Sequence, residues 1–157
     1  MGAVVFLFIA VVLVVLQHTL LAGVPLAPDL PLALVAWAVV DGGERGVLVR
    51  AWMVGLIRDC VDPGSTCFHT VAYFTLALVF LPMRAVVFHS RGVAWMLWAA
   101  LASVLLTAID AAFIAGVAPR WPPMLVGALF TGLATLPMAW LLKVLPRDLH
   151  PIGHGGE

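Results

Sequence analysis

Arg58 and Asp59 are adjacent, Asp62 follows three positions later, and Asp110 stands alone inside the apolar stretch 93–117. His18 lies near the far end of another apolar run. Residues of these types bind ions, grip polar ligands or move protons. Here they sit in or beside segments apolar enough for a lipid bilayer. An ionisable side chain at that depth costs about 2.5–3.5 kcal/mol on insertion scales unless it finds a partner. Two readings follow for His18, Arg58, Asp59 and Asp110. In one they form a polar cluster that lines an outward-facing cavity or grips a partner. In the other, an internal Arg58–Asp110 pair only locks two helices together. Both readings set Arg58 against Asp110.

Other chemistries find little support. Cys60 and Cys67 match no zinc spacing, and two cysteines make no disulfide framework. The five histidines, His18, His69, His89, His150 and His154, are scattered, and His69 and His89 read as interfacial polar residues. The chain has no His-Glu-x-x-His, no Walker-type loop and no Gly-x-Ser-x-Gly. No catalytic, metal or cofactor residues are therefore expected, and an enzyme is the most distant function class.

The elements that must position these residues follow from composition. Of 157 residues, 64% are hydrophobic and 10% charged, with eight Lys plus Arg against eight Asp plus Glu. A soluble domain averages about 45–50% apolar and about 25% charged. So few charges could not coat a water-soluble globule. A disordered chain, a basic nucleic-acid binder and an ordinary cytosolic enzyme are excluded. The expectation is an all-α integral membrane protein: one six-helix transmembrane domain, residues 1–149, and a flexible tail, 150–157.

Six apolar segments carry that expectation: 3–24, 30–40, 47–57, 68–88, 93–117 and 124–144. The first reads as a retained helix, since no Lys or Arg precedes it. Asp29 is placed to cap the second, with Pro31 tolerable in the first turn. Segments two and three, at about 1.5 Å per residue, reach only part of a ~30 Å hydrocarbon core. They are expected as short helices whose polar ends rest against protein. Segment four continues through Pro82 with a kink.

With six spans, Arg45, Arg50, Arg84, Arg91, Lys143 and Arg147 gather on one side, and Arg58 and Arg120 on the other. The positive-inside rule then puts both termini in the cytoplasm. Gly46 and Gly55 suit close helix packing, while Gly42 and Gly43 read as turn chemistry. Arg50 is expected to snorkel to the cytoplasmic surface or meet a partner there. Trp37, Trp52, Trp95, Trp98, Trp121 and Trp140 are mostly near segment ends and read as interface anchors. Cys60 and Cys67 face the outer side, either bridged or free.

A set of short motifs adds to this. Gln17-x-Thr19-Leu20, Pro28-Asp29-Leu30, Gly43-x-x-x-Val47, Gly55-Leu56-Ile57-Arg58-Asp59 and a Pro-Gly turn stand in that order. The chain thereby resembles the rod shape-determining protein MreD family, by motif over roughly residues 10–75 and by hydropathy over its length. It departs from the family at Met53-Val54-Gly55-Leu56, where members carry a Phe in Gly-Phe-x-x-Gly-Leu, and Arg58 is not a family-characteristic position. The resemblance implies a bacterial inner-membrane, non-enzymatic subunit of the cell-elongation machinery. Such a subunit binds the membrane-anchored protein MreC, with indirect links to MreB, RodA and a penicillin-binding transpeptidase. It also implies an architecture similar to S-components of energy-coupling-factor transporters, so a vitamin-type substrate-binding subunit is the alternative role.

Overall fold

The computed structural model describes residues 3–22, 24, 26–41, 44–62, 67–87, 91–114, 116, 118 and 120–144. Among the described residues there are six α-helices and no strand. They are α1 (Ala3–Thr19), α2 (Leu30–Asp41), α3 (Glu44–Val61), α4 (Phe68–Val87), α5 (Arg91–Ile109) and α6 (Trp121–Val144). A π-helical turn, Asp110–Ile114, prolongs α5. Each expected segment is helical, and α4 runs on through Pro82. The tail 150–157, Gly42, Gly43, His89 and Arg147 lie outside the described residues.

Several boundaries differ from expectation: α1 ends at Thr19 rather than at 24, and α6 starts at Trp121 rather than at 124. α3 starts at Glu44, inside the supposed polar turn, and has 18 residues. At 1.5 Å per residue it is about 27 Å long, so only α2, with 12 residues and about 18 Å, is short. The regular part of α5 ends at Ile109, and Asp110 opens the π turn with its side chain exposed. Asp110 thus lies inside the helical stretch 91–114, at the start of its irregular last five residues.

α2 is the centre of the molecule. Residues 31–40 are all buried, and the helix touches each of the other five. A helix that is apolar on every side has no face to give to solvent, so it is wrapped. α3 with α4 and α5 with α6 form the two tightest pairs around it. Glycine allows both approaches. A Cβ on Gly55 would stand 2.5 Å from the Thr70 Cα, and one on Gly132 would stand 2.8 Å from the Met96 carbonyl oxygen. Successive helices alternate in direction, so α1 and α3 start at the same end, where the Arg50 guanidinium lies 5.4 Å above the Phe6 ring. Arg50 thus packs on α1 instead of only reaching outward. α4 and α5 scarcely meet.

The outer faces are apolar. Phe8, Val71, Leu97, Leu101, Leu129 and Trp140 are each more than half exposed. Two stretches, Trp95–Phe113 and Trp121–Leu142, are long and apolar enough to cross a membrane. Tryptophans divide between the two environments. Trp52, Trp121 and Trp140 are exposed, but Trp37, Trp95 and Trp98 are buried core residues and not interface anchors. Segment-end position misled there, because the ends of α2 and α5 are covered by neighbouring helices.

Candidate functional site

The site grows from the N-terminus of α2. A helix start leaves backbone N–H groups without intrahelical partners, and side chains commonly supply the missing acceptors. Three devices deal with this one. The Leu30 N–H donates to Gln17 Oε1 at 3.1 Å. Pro31 has no N–H to satisfy. The Leu32 N–H donates to Asp29 Oδ1 at 3.1 Å, which makes Asp29 the N-cap expected from sequence. The Asp29 N–H donates to Thr131 Oγ1 at 2.9 Å, and that hydroxyl donates to the Gly127 carbonyl at 2.9 Å. Thr131 lies ten residues past Trp121, the first of α6, so α2 begins about 15 Å down the length of α6.

Capping uses one Asp29 oxygen and leaves the other. Arg58 donates through an Nη to Asp29 Oδ2 at 2.5 Å, with the two side chains 17% and 18% exposed. The same nitrogen meets the Tyr73 hydroxyl. That hydroxyl also donates to Asp29 at 3.3 Å, and the Arg58 guanidinium sits 5.7 Å from the Tyr73 ring centre. Arg58 Nε is buried and has no hydrogen-bond partner among the described residues. The carboxylate paired with Arg58 is thus Asp29 and not Asp110.

Asp59 does a different task. Its carboxylate accepts from the backbone N–H of His69 at 3.0 Å and of Thr70 at 2.8 Å, and from the Thr70 hydroxyl at 2.5 Å. The His69 Nδ1 is 3.0 Å away. Cys67, at the local cap position of α4, has φ 57°, in the left-handed region, and is a poor capping residue. Asp59 therefore caps α4 from the end of α3. Cys60 and Cys67 are free and exposed.

Because α2 is short, the space above its start is not filled by helix. A cavity of about 440 Å³ lies there, lined by Gln17, Asp29, Arg58, Ser103, Thr107 and Arg120 among polar residues, and by alanines, Gly127, Pro123 and Met124. A second, of about 200 Å³, is lined by Asp29, Arg58, His69, Thr107 and Asp110 with Phe68 and Leu106. Of the four residues expected to cluster, Arg58 and Asp110 share this second cavity, while Asp59 is committed to α4. His18 lines neither cavity; its neighbour Gln17 lines the larger one. Sequence reasoning passed over Tyr73 and Thr131 as ligands of this network. The signal for Tyr73 was present: it is the one tyrosine in the chain, set in an apolar run, and a buried hydroxyl requires a partner.

Chemically the arrangement is an Asp29–Arg58 ion pair on the floor of a polar cavity, with the Arg58 Nε donor unmatched among the described residues. Among the described residues no group of His, Cys, Asp and Glu is placed to hold a metal ion. The fold and site define an all-helical bundle with two helices long and apolar enough to cross a membrane. Comparison with protein-family models, curated proteins and solved structures finds no match.

Proposed function

We propose that this chain is a multi-pass inner-membrane scaffold subunit similar to the MreD family, with six spans and both termini cytoplasmic. It acts without chemistry of its own and receives the transmembrane helix of an MreC-like single-span protein. Through that partner it supports the cell-elongation machinery and peptidoglycan synthesis. One observation carries the reading: residues that carry the resemblance are joints of this bundle. Gln17 and Asp29 cap α2, Asp59 caps α4, and Gly55 lets α3 and α4 touch. Motifs that hold helix ends and crossings go with a shared architecture, not with a shared reaction. The lipid setting is supported by the apolar outer faces, since contiguous exposed apolar surface beyond a few hundred Å² marks a membrane or partner contact.

The test is a detergent pull-down of the tagged chain followed by mass spectrometry, with depletion in a rod-shaped host. A single-span membrane protein recovered with it, and rounding of depleted cells, are the expected results. Recovery of a small solute with no protein partner overturns the scaffold role. It would favour a second reading, a substrate-binding subunit of a transporter, which the 440 Å³ cavity supports because ligand pockets commonly run about 300–1,000 Å³.

A further inference from the structure

The two polar cavities have an apolar neighbour on the side of the bundle. An apolar groove of about 490 Å³ runs between α4 and α5. It shares Phe68 and Leu106 with the 200 Å³ cavity, and that cavity shares Asp29, Arg58 and Thr107 with the 440 Å³ cavity. The three spaces are therefore neighbours, with Phe68 and Leu106 between the groove and the small cavity, and Asp29, Arg58 and Thr107 between the two polar cavities. The groove exists because α4 and α5 scarcely touch. Val71, Thr75 and Leu105, which line the groove, are exposed.

The two ends differ in chemistry. The groove is lined almost entirely by aliphatic, aromatic and small side chains. The larger cavity holds Asp29, Arg58 and Arg120, a net positive charge of one, while Asp110 lines only the smaller cavity. Asp29 and Arg58 neutralise each other. Arg120 has no ion pair among the described residues, and the buried Arg58 Nε is a donor without an acceptor. Buried donors in native structures almost always find a partner. An apolar slot facing outward, beside a polar chamber that holds an Arg120 unpaired among the described residues and an unmatched Arg58 donor, has the shape and chemistry of an amphiphile site.

We propose that these neighbouring spaces together bind an anionic phospholipid, with an acyl chain in the α4–α5 groove and the phosphate in the chamber with Arg58 and Arg120. The inference rests on the membrane reading and holds whether the chain is a scaffold or a transport subunit. Its phosphate chemistry is shared with free phosphate, so the test separates the two.

The experiment is native mass spectrometry of the full chain in dodecyl maltoside. It compares retention of phosphatidylglycerol, phosphatidylcholine and inorganic phosphate. Phosphatidylglycerol is expected to be retained about tenfold better than phosphatidylcholine, and Arg120→Gln to remove about that factor, as a charge-assisted contact does. Thr75→Trp, which narrows the groove at an exposed position, is expected to lower lipid retention and leave inorganic phosphate unaffected. Equal retention of the two lipids, or unchanged phosphatidylglycerol retention in Arg120→Gln, overturns the proposal. So does inorganic phosphate binding without lipid binding, which assigns the chamber to a free oxyanion. Recovery of the chain in the soluble fraction after cell breakage would instead overturn the membrane reading itself.

Discussion

Replacing Asp29 by Asn separates its two tasks. The amide oxygen can still accept the Leu32 N–H, so the α2 cap survives, but the charge facing Arg58 is gone. Both side chains are more than four-fifths buried. Removing one partner from a buried pair costs about 3–5 kcal/mol, because the other charge stays behind uncompensated. Here Arg58 keeps the Tyr73 hydroxyl, which points to the lower end, about 3 kcal/mol. Asp29→Ala also loses the cap and should cost about 1 kcal/mol more. Arg58→Met strands Asp29 instead, but a carboxylate at a helix N-terminus is favoured by up to about 2 kcal/mol, so this loss should be smaller. The double variant Asp29→Asn/Arg58→Met leaves no unpaired charge and should cost no more than the worse single change. That is an interaction energy of about 2 kcal/mol, read by unfolding in mixed micelles with helical circular dichroism as the signal. Losses that add to within about 0.5 kcal/mol would refute the pairing. So would a larger interaction of Arg58 with Asp110 than with Asp29 in the parallel cycle using Asp110→Asn.

Further expectations concern the joints and the surface. Gly55→Ala must push α4 away from α3, since its Cβ would fall 2.5 Å from the Thr70 Cα; a loss of about 1–3 kcal/mol is expected by the same unfolding assay. Gly127→Ala meets nothing within 4 Å, so it should be neutral or stabilising by up to about 1 kcal/mol. Asp59→Ala leaves two backbone N–H groups of α4 without their acceptor and should cost about 2–3 kcal/mol, with hydrogen exchange rising first at His69 and Thr70. Cys60 and Cys67 should both react with a maleimide in detergent, and in intact cells with a membrane-impermeant maleimide added outside; protection from the impermeant reagent would reverse the proposed topology.

Much of this arrangement is local enough to be read from sequence. Pro28-Asp29-Leu30-Pro31 marks a helix start because each feature acts within one turn: a cap, and a proline where no N–H is needed. Arg58 is conspicuous because a charge beside apolar runs demands an explanation. Its partner is not legible in the same way. Asp29 was fully accounted for as a cap, and nothing local shows that its second oxygen remains available. Asp110 matches Arg58 on depth, but it opens an irregular π turn with an exposed side chain, and the ion pair of Arg58 goes to Asp29. Asp59 sat beside Arg58 in the chain and looked like part of one cluster. Successive positions on a helix point about 100° apart, and Asp59 meets the first turn of α4 while Arg58 meets the start of α2 and Tyr73 further along α4.

The length of α2 is the cause behind the rest. A 12-residue helix surrounded by longer ones must end inside the bundle, and its N-terminus lies level with the middle of α6. Its backbone donors have no carbonyl one turn upstream, and side chains from α1 and the α2 entry supply acceptors. The strongest acceptor available is a carboxylate, and a carboxylate at that depth needs a cation. Arg58 and Tyr73 answer that need from α3 and α4, which ties the central helix to the outer hairpin. The same shortness leaves the chamber above. A longer α2 would give the Leu30 and Leu32 N–H groups backbone acceptors one turn upstream, but it would fill the cavity and remove the need for Asp29 as a cap. Polar network and cavity are therefore two consequences of one truncated helix, and a change that repairs one should erase the other.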